Sequence, residues 1–249
     1  MHKISGRVCE SCRADYAFAL ARPQAKASRT TCFAGPGDAG TKFVIGPAAR
    51  KRQAPAMLRL GVLGSGKGSN MQAILEAIRE GRLGAEIVLV LSDEPEAPIL
   101  DRAREAGIPT GIIDCRGYAQ KFPEEAQRET AEALQDAGAD LICLAGFMRL
   151  VKEPLLEAFP DRILNIHPSL LPAYPGLHAW EQAIADGATE SGCTVHYVNA
   201  GMDTGAIIAQ ARVPVRVDDT PSTLHARIQE QEHQLYPEAI KSVAQASSL

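Results

Sequence analysis

The stretch LRLGVLGSGKGSN, residues 58–70, predicts the fold of this chain. Its first six residues are mostly apolar, which is typical of a short buried strand. Three glycines then lead into residues 69–79, where apolar residues recur at helical spacing. A strand that enters a helix through a glycine-rich turn is the opening unit of a doubly wound α/β sheet. Such a sheet binds anions at the N-terminus of that helix.

The same alternation of strand and helix continues along the chain, which predicts a parallel sheet covered by helices. Two late strand-like segments separated by a short turn predict an antiparallel pair at the sheet edge. We therefore predict an α/β fold with a single open, mostly parallel twisted sheet, helices on both faces and antiparallel strands added at the C-terminal side. The predicted strands are residues 58–63, 85–91, 112–113, 141–145, 163–166, 194–198 and 206–215, and the predicted helices are residues 69–79, 99–106, 123–136, 151–158 and 220–234.

Residues 1–56 differ from the rest of the chain in net charge and in lacking strand-like and helix-like periodicity. They hold 10 Lys and Arg against 3 Asp and Glu, a net charge of +7, whereas the remainder holds 16 against 27, a net charge of −11. Met57 stands at the junction. We predict that residues 1–56 are a disordered extension or an upstream mis-called start, and that residues 57–249 form the functional domain. An Arg-rich, acid-poor segment also has the composition of a transit peptide.

The composition of the chain argues against several classes of binding partner. The formal net charge of −4 disfavours nucleic acid as the main partner, because phosphates need a basic face. No apolar run approaches the ~20 residues that span a membrane, and the cysteines form no disulfide framework, which favours a cytoplasmic location. Cys9 and Cys12 form a CxxC pair without the further ligands of a tetrahedral zinc site, so we predict no metal.

The glycine loop, residues 64–70, can be compared with three anion-binding motifs, and it departs from two of them. A nucleotide P-loop needs a hydroxyl residue after its lysine, where this chain has Gly68. A dinucleotide motif needs a third glycine, where this chain has Ser69. A phosphate monoester held by Gly68, Ser69 and Asn70 fits better, because Ser69 adds a hydroxyl and Asn70 an amide. A plain tight turn is the alternative without a ligand.

A polar pair ends the fifth predicted strand, in NIHPSLLPAYPGLHA, residues 165–179. Asn165 and His167 are two residues apart, so on a strand their side chains share a face near the carboxyl edge, where α/β sheets place active sites. Asn offers a neutral donor to a carbonyl oxygen that gains negative charge, and His can carry a proton at neutral pH. The prolines that follow stiffen a loop able to hold a ligand.

Asp203 is the carboxylate that we predict to complete this group. It lies between Gly201 and Gly205 in the turn between the last two strands, where forming the turn is its alternative role. His196 is a weaker candidate, since a histidine in mid-strand is often a core residue. No motif places a nucleophile, so these residues predict oxyanion stabilisation and proton transfer at a carbonyl, with the nucleophile supplied by a substrate.

Four segments in order then carry a resemblance. They are residues 66–70 (GKGSN), 145–149 (AGFMR), 165–178 and 202–205 (MDTG). Across roughly residues 57–245 the chain resembles the phosphoribosylglycinamide formyltransferases, the folate-dependent family of purine synthesis. The resemblance implies a Rossmann-like formyltransferase fold. It also implies transfer of the formyl group from 10-formyltetrahydrofolate, as co-substrate, to the amine of 5-phosphoribosylglycinamide.

The resemblance also implies a role for each matched residue. Asn165 would hydrogen-bond the developing oxyanion, His167 would stabilise it as imidazolium and move the proton, and Asp203 would orient His167. The ribonucleotide side would comprise Gly68, Ser69, Asn70 and Glu232. The folate side would comprise Met148, Arg149, Leu150, Val151, Asn165, Asn199, Ala200, Gly201, Met202, Asp203 and, as a basic contact ahead of the third helix, Lys121. The implied partners are these small molecules, and we expect a monomer or weak homodimer.

Related activities remain as alternatives. A methionyl-tRNA formyltransferase shares the catalytic set but needs an added C-terminal domain and a basic surface. A formyltetrahydrofolate deformylase needs an N-terminal regulatory domain, which residues 1–56 do not resemble. A folate-binding or sugar-nucleotide-binding module without turnover is the non-enzymatic alternative, and the intact set of Asn165, His167 and Asp203 argues against it.

Overall fold

The strands of the computed structural model, which describes residues 57–118 and 121–247, form one open sheet. They are β1 (Leu58–Leu63), β2 (Ala85–Ser92), β3 (Thr110–Ile112), β4 (Leu141–Leu144), β5 (Ile163–His167), β6 (Glu190–Tyr197) and β7 (Ile207–Pro214). Their spatial order is β3-β2-β1-β4-β5-β6-β7. The first five strands run parallel, while β6 and β7 are antiparallel additions. The predicted fold class is confirmed. The hypotheses on residues 1–56, with Cys9 and Cys12, lie outside the described residues.

Helices cover both faces of the sheet. They are α1 (Ser69–Arg79), α2 (Pro98–Glu105), α3 (Glu124–Asp136), α4 (Leu155–Ala158), α5 (Ala179–Ala185) and α6 (Pro221–Ser247). One apolar core lies between the sheet and α1, α2 and α6, and a second lies between the opposite face and α3 and α4. Strands with two buried faces explain the near-continuous apolar runs in the sequence. None of the helices among the described residues has the length and apolar content to cross a membrane.

Three helices differ from the sequence prediction. Helix α4, predicted over residues 151–158, begins only at Leu155, because Pro154 disfavours a helical conformation at the residue before it. Helix α5 was not predicted, because it is short and follows a proline-rich loop. Helix α6 was predicted to end at residue 234, but it continues through Pro237 to Ser247. Pro237 removes one backbone hydrogen bond, yet Tyr236 and Ile240 on either side of it are fully buried in the core. Burial of this second half of α6 outweighs the local cost of the proline.

The parallel topology brings the ends of β1, β4 and β5 to one edge of the sheet. Register then fixes which side chains meet there. Leu144 pairs with Asn165 across β4 and β5. In the antiparallel pair of β5 and β6, Asn165 lies opposite His196 and His167 lies opposite Thr194. Directly opposed residues point to the same face, so these four polar side chains form one group at the edge.

Candidate active site

His167 stands at the centre of the candidate active site and is 5% exposed. Its Nε2 lies 2.9 Å from the Tyr174 carbonyl oxygen, and its Nδ1 lies 3.4 Å from Asp203 Oδ2. A carbonyl only accepts hydrogen bonds, so Nε2 carries a proton. The second nitrogen faces a carboxylate, which is the arrangement of an imidazolium–carboxylate pair. The predicted meeting of His167 with Asp203 is therefore present in the structure.

Asp203 is held by the turn that carries it and by the proline-rich loop. Its φ angle is 53°, and its Oδ2 accepts the Gly176 backbone N–H at 2.8 Å. Burial acts to raise the pKa of Asp203, but the hydrogen bond from the Gly176 N–H and the charge of His167 act in the opposite direction and outweigh burial. The pKa of this carboxyl therefore lies below its usual value. Asp203 is therefore ionised at neutral pH and stabilises positive charge on a neighbouring imidazole.

Asn165 and His196 form the other half of the group. Asn165 Nδ2 lies 3.2 Å from His196 Nε2, and His196 Nε2 lies 3.6 Å from Asp203 Oδ1. His196 Nδ1 donates to the Tyr197 carbonyl oxygen at 2.8 Å, which leaves Nε2 free to accept one Asn165 amide hydrogen. The second amide hydrogen of Asn165 remains available to a ligand. The side chain of Asn165 is therefore oriented by a histidine that contacts the same carboxylate as His167.

Buried polar groups anchor the proline-rich loop that supplies the Tyr174 carbonyl. Thr194 Oγ1 donates to the Ser169 carbonyl oxygen at 2.7 Å and accepts the Leu171 N–H at 3.1 Å. Gln210 Nε2 donates to Thr194 Oγ1 and to the Leu171 carbonyl oxygen, both at 2.9 Å. The antiparallel strands thus hold the loop in place with side chains as well as backbone, which fixes the acceptor for His167 Nε2.

The glycine loop lies between β1 and α1, as predicted. Gly68 precedes α1 with a φ angle of 74°. A Cβ at Gly68 would lie 2.7 Å from Ile99 Cγ1 and 2.9 Å from Ile99 Cα, so only glycine fits there. Ser69 is the first residue of α1. This helix has no side-chain cap at its N-terminus, where backbone N–H groups are suited to an anion.

Asn70 and Glu232 meet beside this loop, although they are far apart in sequence. Asn70 Nδ2 donates to Glu232 Oε2 at 2.9 Å, while the buried Asn70 Oδ1 has no partner. Glu232 is 4% exposed. Burial raises the pKa of Glu232 to about 7, against the opposing effect of the Asn70 hydrogen bond. The structure therefore brings together the ribonucleotide residues that the sequence predicted, with a carboxyl that changes protonation near neutral pH.

The residues predicted for the folate side divide into exposed and buried groups. Met148 and Met202 are 62% and 55% exposed. A Cβ at Gly176 would lie 3.1 Å from Met202 Sδ, which places Met202 beside the backbone that holds Asp203. Leu150 is 39% exposed, and the turn after β6 that holds Asn199, Ala200 and Gly201 is exposed as well. Lys121 is exposed, and its Nζ lies 5.3 Å from the Tyr118 ring centroid. Val151 and Arg149 are buried.

Arg149, which the resemblance assigned to the folate side, has a buried side chain. Its side chain is buried with that of Asp93, and its guanidinium donates to Asp93 and to two backbone carbonyls. Its guanidinium is thus engaged within the protein.

Sequence analysis ranked His196 only as a weaker candidate and did not name Ser65. His196 contacts both Asn165 and Asp203, and the signal that could have found it is the register of the antiparallel pair. Ser65 links Asp93 to the backbone of Met148, and no sequence motif marks that contact. Among the residues that the structure describes, no cluster of three or more metal-ligating side chains is present.

The model of the formyl transferase family (Formyl_trans_N) matches residues 58–240. The chain belongs to this family.

Curated relatives and solved structures that the chain resembles carry names from purine biosynthesis or glycinamide ribonucleotide formyl transfer. The chain is 41% identical over 187 residues to the phosphoribosylglycinamide formyltransferase of Bacillus subtilis, covering 75% of this chain and 95% of that protein. It is 46% identical over 193 residues to the trifunctional purine biosynthetic protein adenosine-3 of Drosophila melanogaster. The crystal structure of glycinamide ribonucleotide transformylase 1 from Symbiobacterium toebii superposes with a TM-score of 0.73 at 52% identity, covering 76% of this chain and 89% of that one.

The chain corresponds to only a small part of the fly relative. The match covers 77% of this chain but 14% of the trifunctional protein. The bacterial relative and the solved structure are instead matched over most of their lengths.

Proposed function

We propose that this chain transfers the formyl group of 10-formyltetrahydrofolate to the amine of 5-phosphoribosylglycinamide, a step of purine (IMP) biosynthesis. The observation that carries the proposal is the meeting of Asn165, His167 and Asp203 at the sheet edge that also holds the glycine loop. The names of the Bacillus subtilis and Symbiobacterium toebii relatives support formyl transfer to the same acceptor.

The three polar side chains suit an acyl transfer in which a substrate amine is the nucleophile. When the amine adds to the formyl carbon, negative charge develops on the formyl oxygen. The free amide hydrogen of Asn165 can donate to that oxygen, and a positive charge on the imidazole of His167, on the same face of β5, can stabilise it electrostatically in a site that excludes most water. Asp203 holds the imidazolium in place and takes up the amine proton through water. A folate nitrogen is the leaving group and receives that proton as its bond to the formyl carbon breaks, so no protein nucleophile is needed.

The ribonucleotide half of the site would accommodate the phosphate and the sugar separately. The backbone at Gly68, Ser69 and Asn70 offers donors to the phosphate at the N-terminus of α1. Glu232 and the unpaired Asn70 Oδ1 offer acceptors to substrate hydroxyl or amide hydrogens. A dianionic phosphate next to an ionised Glu232 would be repelled, so the raised pKa of Glu232 suits this arrangement.

The folate half of the site fits an aromatic co-substrate. Exposed apolar side chains lie on the two segments concerned, Met148 and Leu150 after β4 and Met202 after β6, and they offer apolar surface to an aromatic ring. We propose that the backbone of residues 148–151 and 199–203 lines this half, with Lys121 as the basic contact. The folate supplies the formyl group as an electrophilic carbonyl.

Formyl-transfer assays on the full chain test the proposal. We expect turnover of 10-formyltetrahydrofolate with 5-phosphoribosylglycinamide and none with initiator methionyl-tRNA. Formylation of the tRNA, or release of formate without an acceptor, would establish one of the two alternative activities instead. Absence of any reaction together with tight folate binding would favour the non-enzymatic alternative. A cytoplasmic monomer or weak homodimer remains our prediction for the working enzyme.

Variants of the catalytic group give a sharper test. His167→Ala should lower kcat by about 10²-fold or more, the usual contribution of one acid–base group. Asp203→Asn should also slow turnover while the fold persists, and Asp101→Asn, in an exposed pair on α2, is the matched control. Near-normal turnover in His167→Ala would remove His167 from the mechanism. Unfolding of Asp203→Asn would favour its alternative role as a turn former.

A further inference from the structure

A buried ion pair joins three segments around the candidate active site. Arg149 Nε lies 2.5 Å from Asp93 Oδ2, and the two side chains are 6% and 3% exposed. Asp93 follows β2, and Arg149 lies in the segment after β4. Breaking a buried pair leaves an uncompensated charge, so a protein retains such a pair only where its geometry and its additional hydrogen bonds are good.

On one side, the pair is connected to the glycine loop through Ser65. Ser65 Oγ donates to Asp93 Oδ1 at 2.6 Å and accepts the Met148 backbone N–H at 3.1 Å. Ser65 N–H also donates to the Gly146 carbonyl oxygen at 3.0 Å. The position of the segment that carries Met148 is therefore set relative to the loop that precedes α1.

On the other side, the pair holds the residues that precede α3. Arg149 Nη1 donates to the carbonyl oxygens of Tyr118 and Lys121 at 2.7 and 2.8 Å. The rings of Phe122 and Phe147 meet edge to face, with centroids 5.4 Å apart. One guanidinium therefore fixes a segment that lies far from it in sequence, and an aromatic contact supports the same arrangement.

We propose that Asp93 and Arg149 are positioning residues for the folate half of the site, and that Arg149 acts through the backbone it holds and not by contact with the folate. This inference rests on the proposed function. The guanidinium is buried and its bonds go to Asp93 and to backbone carbonyls. Arg149 and Asp93 thereby set the distance between the backbone at Met148, on one side of the proposed folate half, and the backbone at Tyr118 and Lys121, on the other side.

The test replaces the planar fork of Arg149 while keeping its charge. In Arg149→Lys, an ammonium can pair with Asp93 but cannot hold both backbone carbonyls in the same geometry. We expect the KM for 10-formyltetrahydrofolate to rise about tenfold or more, as charge-assisted hydrogen bonds that fix a pocket wall are lost. The KM for the ribonucleotide should change less than about twofold, because a lysine at position 149 can still pair with Asp93 and so leaves the hydrogen bond between Asp93 and Ser65 of the glycine loop in place.

Hydrogen exchange gives a second readout that does not depend on turnover. The Tyr118 N–H donates to the Cys115 carbonyl oxygen at 3.0 Å. Its exchange should be faster in Arg149→Lys by about tenfold or more, because local opening is easier when the segment loses its anchor. Arg128→Lys, which alters an exposed pair with Glu124 on α3, is the matched control and should change neither readout.

The outcomes separate this inference from the proposed function. An inactive wild-type chain would overturn the function, while faster Tyr118 exchange in Arg149→Lys would still support the positioning role of the pair. An active wild-type chain whose Arg149→Lys variant keeps its folate KM and its Tyr118 exchange would overturn the inference. Equal rises in both KM values would indicate a general structural role and would also overturn it. Asp93→Asn, which keeps the shape of Asp93, should reproduce the folate-specific effect if Arg149→Lys folds poorly.

Discussion

Replacing Glu232 by Gln should remove a specific pH dependence from the stability of this protein. Burial raises the pKa of the Glu232 carboxyl from 4.5 to about 7, with the Asn70 hydrogen bond acting in the opposite direction. Below pH 4.5 the carboxyl is protonated in both the folded and the unfolded chain, so it contributes no pH dependence there. As the pH rises from 4.5 towards 7, the unfolded chain loses this proton while the folded chain retains it. Stability therefore falls across that window.

The size of the effect follows from the width of the window. The interval from 4.5 to about 7 corresponds to about 3 kcal/mol at ~1.4 kcal/mol for each unit of pH. Above pH 7 both states are ionised and the loss is complete. Glu232→Gln keeps an acceptor for Asn70 Nδ2 and has no proton to lose. The variant should thus gain stability over the wild type as the pH rises, up to about 3 kcal/mol.

Urea denaturation at constant ionic strength, in steps from pH 4.5 to pH 8.5, measures this difference. Other titrating groups are common to both proteins and cancel in the comparison. Glu238→Gln is the matched control, because Glu238 lies exposed on the same helix, and its stability curve should run parallel to that of the wild type. Parallel curves for Glu232→Gln and the wild type would refute the reasoning, since they would mean that burial does not hold the proton on Glu232.

Two further predictions concern the glycine loop and the core. Gly68→Ala should lower stability and weaken ribonucleotide binding in calorimetric titration, because a Cβ there would clash with Ile99. Gly66→Ala is the control and should bind normally, because a Cβ there would meet nothing within 4 Å. Equal losses of binding in both variants would contradict the assignment of Gly68 to the phosphate site. Tyr236→Phe should lower the free energy of unfolding by about 1–2 kcal/mol with an unchanged denaturant slope, because the buried hydroxyl donates to the carbonyl oxygens of Leu144 and Leu164; an unaltered midpoint would exclude this contribution.

Local sequence signals predicted the elements that carry the site. Apolar runs and helical spacing gave β1 and α1 with the bounds that the structure has. The alternation of side chains along a strand was enough to place Asn165 and His167 on one face. Local patterns also located the turn that carries Asp203, because Gly201 and Gly205 lie two residues to either side of it. These predictions succeeded because each depends on residues within a few positions of one another.

Contacts between distant segments decided the rest. Helix α5 packs against α6, where the rings of Trp180 and His225 stack with centroids 3.8 Å apart. Helix α6 continues past Pro237 because one face of its second half is buried. The role of His196 depends on the register between β5 and β6. The burial of Arg149 depends on Asp93, 56 positions away.

The sequence by itself determined the sheet class, the place of the glycine loop before α1 and the residue types of the candidate active site. Only the tertiary structure decided which polar side chains share hydrogen bonds and which charges are excluded from water. The physical reason is that local periodicity selects strand or helix, whereas burial and hydrogen-bond partners are set by segments brought together from distant parts of the chain.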